Sequence, residues 1–140
     1  MASPEPVVVL DASAAIALLR NEPSAPQVEH LLRDAFARMA TVNAAETVDV
    51  LVRVYGWKAD DVVAGVELLC SVVEPVAPSL ELAARAGELR ARHFPNDQRV
   101  SLADCFVLAT AEPGGRIVTG DRTLATVARD RGVEVVALDV

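Results

Sequence analysis

Four apolar residues in unbroken succession, Val7-Val8-Val9-Leu10, run directly into an acid, Asp11. A strand with no polar alternation must have both faces covered, which is the pattern of a parallel sheet sandwiched between helices. The rest of the chain repeats the theme. Ala12–Arg20 has helical character and is closed by Asn21-Glu22-Pro23, and Ser24 is placed to cap a second helix reaching about Met39, with Val28, Leu31, Leu32, Ala35 and Phe36 at helical spacing. Ala40–Val42 is expected as a minimal strand. A helix opened by Asn43 then runs to near Gly56, followed by another over Lys58–Ser71 and a weak strand over Val72–Val76. Helices are expected over Ser79–His93 and Ser101–Ala111. A turn at Pro113-Gly114-Gly115 leads into a strand over Ile117–Thr119, a helix over Asp121–Arg131 ended by Gly132, and a last strand over Val133–Leu138. Strands alternating with helices specify an α/β fold, one domain over residues 1–140 with its core at about 7–138, in which helices flank a central parallel sheet on both faces.

Composition narrows the class further. An apolar content of 52% supports a core and argues against disorder. The longest apolar run, Ala14–Leu19, is far short of the roughly 20 residues a bilayer span requires, so no membrane is expected. Met1–Pro6 lacks the pattern of an export leader, and Cys70 and Cys105 fit neither a disulfide framework nor a zinc spacing. Buried, reduced thiols in a cytoplasmic protein are the expectation. The formal net charge of −7 argues against general nucleic-acid affinity, but the acidity belongs to the first half of the chain. Met1–Glu81 carries all of it, and Leu82–Val140 is neutral. With 4% aromatic residues, a base-stacking platform is not expected.

In open parallel sheets the working crevice lies beyond the carboxyl ends of the strands. Acids stand at those junctions: Asp11 after the first strand, Glu46 in the first turn of the helix after the second, Asp104 in the first turn of the helix from Ser101, and Asp121 just past Thr119. Each has an ordinary explanation. Asn43-x-x-Glu46 and Ser101-x-x-Asp104 fit or approximate a capping box, Asp121 suits an N-cap, and first-turn acids favour the helix dipole. Asp11 and Asp104 sit in apolar stretches, where a carboxylate needs a partner. If the four acids converge they repel one another unless a cation neutralises them, and an all-oxygen ligand set selects Mg²⁺ or Mn²⁺ over zinc.

Taken together, Val7-Val8-Val9-Leu10-Asp11-Ala12-Ser13, Asn43-Ala44-Ala45-Glu46, Ser101-Leu102-Ala103-Asp104-Cys105 and Val118-Thr119-Gly120-Asp121-Arg122 resemble the four motifs of PIN-domain ribonucleases. Order, spacing and length resemble those of the VapC toxins of bacterial toxin–antitoxin pairs, over about Val7–Leu138. The resemblance implies a PIN-like fold and an Mg²⁺- or Mn²⁺-dependent endoribonuclease acting on an RNA substrate. It also implies a small antitoxin partner and is compatible with a homodimer. It makes Asp11, Glu46, Asp104 and Asp121 the catalytic, metal-holding acids, with Asp11 and Asp104 as the firmest ligands. Ser13 and Thr119 become hydroxyls supporting those ligands from behind, or simple caps. No histidine is required, and neither His30 nor His93 is placed in the chemistry. Arg85, Arg90, Arg92 and Arg99 precede the third motif and Arg116 and Arg122 flank the fourth. They form either a phosphate-guiding rim or a solvated helix face.

Other phosphoryl-transfer classes fit less well. A haloacid-dehalogenase-like phosphatase wants a second Asp where Ser13 stands, and a receiver domain wants a late lysine where the only lysine is Lys58. Glycine loops for nucleotides and a serine nucleophile elbow are missing. The remaining rival is a non-catalytic PIN-like module that binds RNA or protein. For the antitoxin, the expected groove lies between the amphipathic helices Ser24–Met39 and Lys58–Ser71.

Overall fold

The structure, a computed structural model, describes residues 6–112 and 114–139. The expectations for Met1–Glu5, and for Pro113 in the 113–115 turn, lie outside them. Five strands, β1 (Val7–Leu10), β2 (Phe36–Ala40), β3 (Glu74–Val76), β4 (Arg116–Thr119) and β5 (Glu134–Ala137), form one sheet in the order β3-β2-β1-β4-β5. Every pairing is parallel. Seven helices connect them: α1 (Ala12–Leu19), α2 (Ala25–Asp34), α3 (Thr41–Arg53), α4 (Ala59–Leu69), α5 (Leu80–His93), α6 (Leu102–Ala111) and α7 (Arg122–Asp130).

The continuous apolar run of β1 is explained by two cores. Val9 joins Ile117 in a cluster with α5, α6 and α7. Val8 and Leu10 join Val118, Ala37 and Met39 in a second cluster against α1, α2 and the end of α4. Successive side chains of β1 and β4 thus enter opposite layers, and all but Val7 and Arg116 in those two strands are buried. Gly132, at φ 76°, supplies the left-handed residue that ends α7 and turns the chain into β5.

Two expectations need correction. The expected helix Ser24–Met39 stops at Asp34, Ala35 is extended at φ −138° and ψ 158°, and Phe36–Ala40 is β2 rather than helix. Pairing with β1 on one side and β3 on the other outweighs the weak strand propensity of Phe-Ala-Arg-Met-Ala. Ser24 occupies the N-cap position of α2 without making a side-chain capping bond. The expected strand Ala40–Val42 is displaced as well: α3 begins at Thr41 and its N-cap, Ala40, has no side chain able to cap. Asn43 therefore lies inside the first turn, and Glu46 falls in the second turn rather than the first.

The chain leaves β1 in both directions, through β2 to β3 and across to β4 and β5. The order reverses between β1 and β4, and a crevice opens there at the carboxyl ends of the strands. Because Ile117 is fully buried at the centre of one layer, Ile117→Ala should lower the unfolding free energy by about 2–5 kcal/mol in urea titration, whereas Leu80→Ala, at a residue 87% exposed, should change it by less than about 0.5 kcal/mol.

Candidate active site

Asp11 and Asp121 stand on the two sides of that crevice, each as an N-cap. Asp11 ends β1 and caps α1 by accepting the Ala14 N–H at 3.0 Å, and Asp121 follows β4 and caps α7 by accepting the N–H groups of Thr123 and Leu124. Asp11 is only 4% exposed. Its Oδ1 also accepts the Ser13 hydroxyl at 2.6 Å, and its Oδ2 accepts the hydroxyl of Thr119, the last residue of β4. The Gly120 N–H donates across the crevice to Ser13 Oγ at 2.8 Å, and on the β4 side the Asp121 N–H donates to Thr119 Oγ1 at 2.9 Å. Ser13, Thr119 and Asp11 therefore tie the end of β1 to the end of β4.

Asp104 arrives from the other direction. α6 ends on the turn into β4 and so runs against the strands, which brings its N-terminus to their carboxyl ends. The capping box expected from Ser101 and Asp104 is complete: the Asp104 N–H donates to Ser101 Oγ at 3.0 Å, and the Ser101 N–H donates to Asp104 Oδ2 at 2.9 Å. Glu46 comes from α3, which packs on α6. The capping box expected of Asn43 and Glu46 does not form. Instead Asn43, 1% exposed, lies between the two helices with its Nδ2 donating to the Ala103 carbonyl at 3.3 Å. Its burial went undetected from sequence because the start of α3 was displaced by three residues; an Asn next to Glu in a capping pattern gives no sign of facing inward.

The four carboxylates sense one another. Burial pushes Asp11 up from 3.8 to about 6, against the lowering effect of its hydrogen bonds, and the Asp104 charge adds to the rise. Burial raises Glu46 as well, with further upward pressure from Asp104, Asp11 and Asp121. Asp104 is raised by burial and by the charge of Asp121. No ion pair among the described residues includes any of the four. Asp104 uses Oδ2 for its cap and Asp121 uses Oδ1, so each has a second oxygen uncommitted to those bonds. Among the described residues no three His, Cys, Asp or Glu side chains close on a single point. The donor chemistry, all oxygen with no histidine or thiol, is that of a hard cation such as Mg²⁺, which keeps several of its own waters.

The arginines divide. Arg85 donates to Glu112 at 3.2 Å, and Glu112 also accepts from Arg131 at 2.8 Å. This network sits past the C-terminus of α6, about 12 Å along the helix from Asp104 at 1.5 Å per residue, which removes Arg85 from the expected phosphate-guiding rim. Arg90 is committed to the fold, donating to the Val100 carbonyl and stacking on Phe94 with its guanidinium 4.2 Å from the ring centre. Arg92 is exposed on the last turn of α5. Arg99, 79% exposed, is held by Asp97, and its charge is coupled to Asp121. His30 pairs with Asp34 on the surface of α2, and His93 lies against Arg131. Cys105 is buried as expected, and burial pushes its thiol up to about 11; Cys70 is only partly buried, contrary to expectation. Beside Ser13 and Gly120 a cavity of about 550 Å³ extends toward Arg20, Asn21 and Asp139.

A PIN domain family model matches residues 8–137, and the chain belongs to the PIN domain family. Its solved structural neighbours are of the VapBC kind. VapBC-1 from nontypeable Haemophilus influenzae is 18% identical with a TM-score of 0.68, over 94% of this chain and 97% of that one. VapBC2 from Rickettsia felis, solved with a DNA fragment from its promoter, is 13% identical with a TM-score of 0.73, over 95% and 99%. Mycobacterium tuberculosis VapC20, described as a sarcin–ricin loop cleaving toxin, is 22% identical with a TM-score of 0.60, over 94% and 89%. At these identities the likeness is one of fold. No curated protein matches the chain significantly.

Two measurements test the hydrogen-bonded crevice. Thr119→Val strips Asp11 of one donor and the Asp121 N–H of its acceptor in a fully buried setting, and should cost about 1–3 kcal/mol in urea unfolding, with Thr119→Ser recovering most of it. For Asp11 the folded carboxyl titrates above the unfolded one. Its contribution to the metal-free protein's stability is therefore full below pH 3.8 and is lost as pH rises through about 6. The stability difference between the parent and Asp11→Asn, measured in chelator, should fall by about 2 kcal/mol between pH 4 and pH 7.

Proposed function

We propose that this chain is a metal-dependent endoribonuclease toxin that hydrolyses RNA phosphodiester bonds in the cytoplasm and is neutralised by a cognate antitoxin. The observation that carries the reading is the placement, around the β1–β4 crevice of a PIN fold, of four carboxylates without a cationic partner among the described ion pairs, three of them pushed up by burial and by the charge of their neighbours. Acids arranged in this way are suited to a divalent cation and unsuited to binding RNA bare. Asp11, Asp104 and Asp121 are assigned as the residues that hold Mg²⁺ or Mn²⁺, with Glu46 completing the set from α3. When bound, the ion supplies Lewis acidity, lowering the pKa of water and offsetting charge on the phosphate.

The chain's own residues do the rest. Ser13 and Thr119 hold both oxygens of Asp11 so that it keeps one orientation. Burial of Asp11 and Asp104 limits the screening of their charges by bulk water, while Glu46 and Asp121 are half-buried. Glu46, whose carboxyl burial and neighbouring acids make more basic than usual, is suited to accept a proton from the attacking water. Arg99, exposed and within electrostatic range of Asp121, is available to meet an RNA phosphate by exchanging its pairing with Asp97. The VapBC and VapC neighbours support the toxin reading and the antitoxin partner. For that partner the apolar groove is formed by α1 and α4 rather than by α2 and α4. Leu18, Leu19, Leu68, Leu69 and Val72 line it, and Leu68 is 74% exposed.

Purified protein should cut a mixed RNA pool with Mn²⁺ and stop with chelator, and Asp104→Asn should not cut at all. Asn keeps an oxygen for the Ser101 N–H while shedding the charge that repels its neighbours. In chelator Asp104→Asn should therefore melt no lower than the parent, and with Mn²⁺ it should gain less. A variant that still cuts, or gains as much from Mn²⁺, contradicts the assignment. Arg99→Ala should lower the slope of log affinity against log salt by about one for a non-cleaved RNA. Arg85→Ala, which breaks the ion pairs with Glu112 at the far end of α6 and with Glu88 on α5, should leave that slope unchanged.

A further inference from the structure

Two buried polar residues of α3 stand near the carboxylates without a part in their chemistry; Thr47 is satisfied by donating to the Asn43 carbonyl at 2.8 Å, and Asn43 is not. It is 1% exposed, and its two amide atoms have different fates. Nδ2 donates to the carbonyl of Ala103, the residue just before Asp104, and the amide is close enough to Glu46 to hold that carboxyl's pKa down against burial. Oδ1 is fully buried and has no hydrogen-bond partner. Exchanging the two amide atoms would set an oxygen against the Ala103 carbonyl, so the orientation is fixed by chemistry. Since both atoms sit on one planar carboxamide, Oδ1 occupies the same seam between α3 and α6 as Nδ2. A cap or a space-filling role explains neither atom: α3 begins two residues earlier, and a filler would be apolar. Buried carbonyl oxygens without a donor are rare, and where the protein offers none an ordered water is the ordinary donor.

We infer that Asn43 is a positioning residue for the proposed reaction: its Nδ2 clamps α3 to the start of α6, fixing Glu46 relative to Asp104, and its Oδ1 anchors a water in that seam beside the two acids. The inference rests on the nuclease reading for the reaction it serves, but the clamp itself stands on the geometry. The two backbone segments that carry Glu46 and Asp104 belong to different helices and share no strand, so a side-chain link between them sets a distance that the sheet does not.

Asn43→Leu separates positioning from packing. Leu matches Asn in branching and heavy-atom count, removes the unpaired oxygen, and leaves the Ala103 carbonyl in its helix ladder. Melting curves in chelator and in Mn²⁺, together with steady-state cleavage of a short RNA, are measured for the parent, Asn43→Leu and Asn43→Ala. The expected result is that Asn43→Leu melts in chelator within a few degrees of the parent or above it. Its Mn²⁺-induced gain should be reduced, and its kcat should fall at least about tenfold with KM within about twofold. Should Asn43→Leu fail to fold, Asn43→Ala carries the same comparison. A folded variant with the parent's Mn²⁺ gain and kcat overturns the inference and leaves Asn43 a packing residue. A parent that gains from Mn²⁺ but cuts no RNA defeats the nuclease reading alone, and the variants' Mn²⁺ gain then decides the clamp. A parent that shows no Mn²⁺ gain overturns both.

Discussion

The buried carboxylate of Asp11 organises this molecule. It ends the central strand, caps the following helix, and accepts hydroxyls from Ser13 and from Thr119 at the end of the neighbouring strand. A charge placed so deep is costly, and the hydrogen bonds offset only part of the cost, because the carboxyl is still pushed up to about 6. What the protein obtains is a rigid junction at the one place where the sheet order reverses. The crevice is held open by the same hydrogen bonds that orient its most buried acid.

Around that junction the remaining acids come from three further elements, and each has a local reason to be where it is. Asp121 caps α7, Asp104 completes a capping box on α6, and Glu46 rides on α3. The choice between cap and ligand is a false one here. A capping carboxylate commits one oxygen to the backbone and has its orientation fixed by doing so, while its other oxygen can serve a ligand. Helix N-termini also stabilise these acids through the dipole, which lets the fold tolerate like charges in proximity. They do not remove the burial that raises Glu46 and Asp104, nor the like charges that add to it, and that residual repulsion is what a cation would relieve.

Much of this was legible in the chain. The all-apolar Val7–Leu10 run specified a doubly covered strand, and the acids at Asp11, Asp104 and Asp121 were marked by their position after strands or at a cap. β2 was not legible. Phe36–Ala40 continues the helical spacing of Val28, Leu31 and Leu32, and only pairing with β1 and β3 makes it a strand. That misplaced boundary carried forward, disguising Asn43 as a cap and moving Glu46 by a turn. Arg85 was equally opaque, since Glu112, the acid it shares with Arg131, is distant in sequence and meets both only through packing of α5, α6 and α7. The missed features are tertiary in origin; the features read correctly are local.

The central claim is that mutually repelling carboxylates at the β1–β4 crevice form a cation site. The most direct test is calorimetric titration of the protein with Mn²⁺ between pH 5.5 and 7.5, in buffers of different ionisation enthalpy. With Asp11 titrating near 6, affinity should rise with pH, and binding near pH 6 should release protons, the release declining toward pH 7.5. Mn²⁺ binding that is absent, or independent of pH and without proton release, and unchanged by Asp11→Asn, would contradict the account.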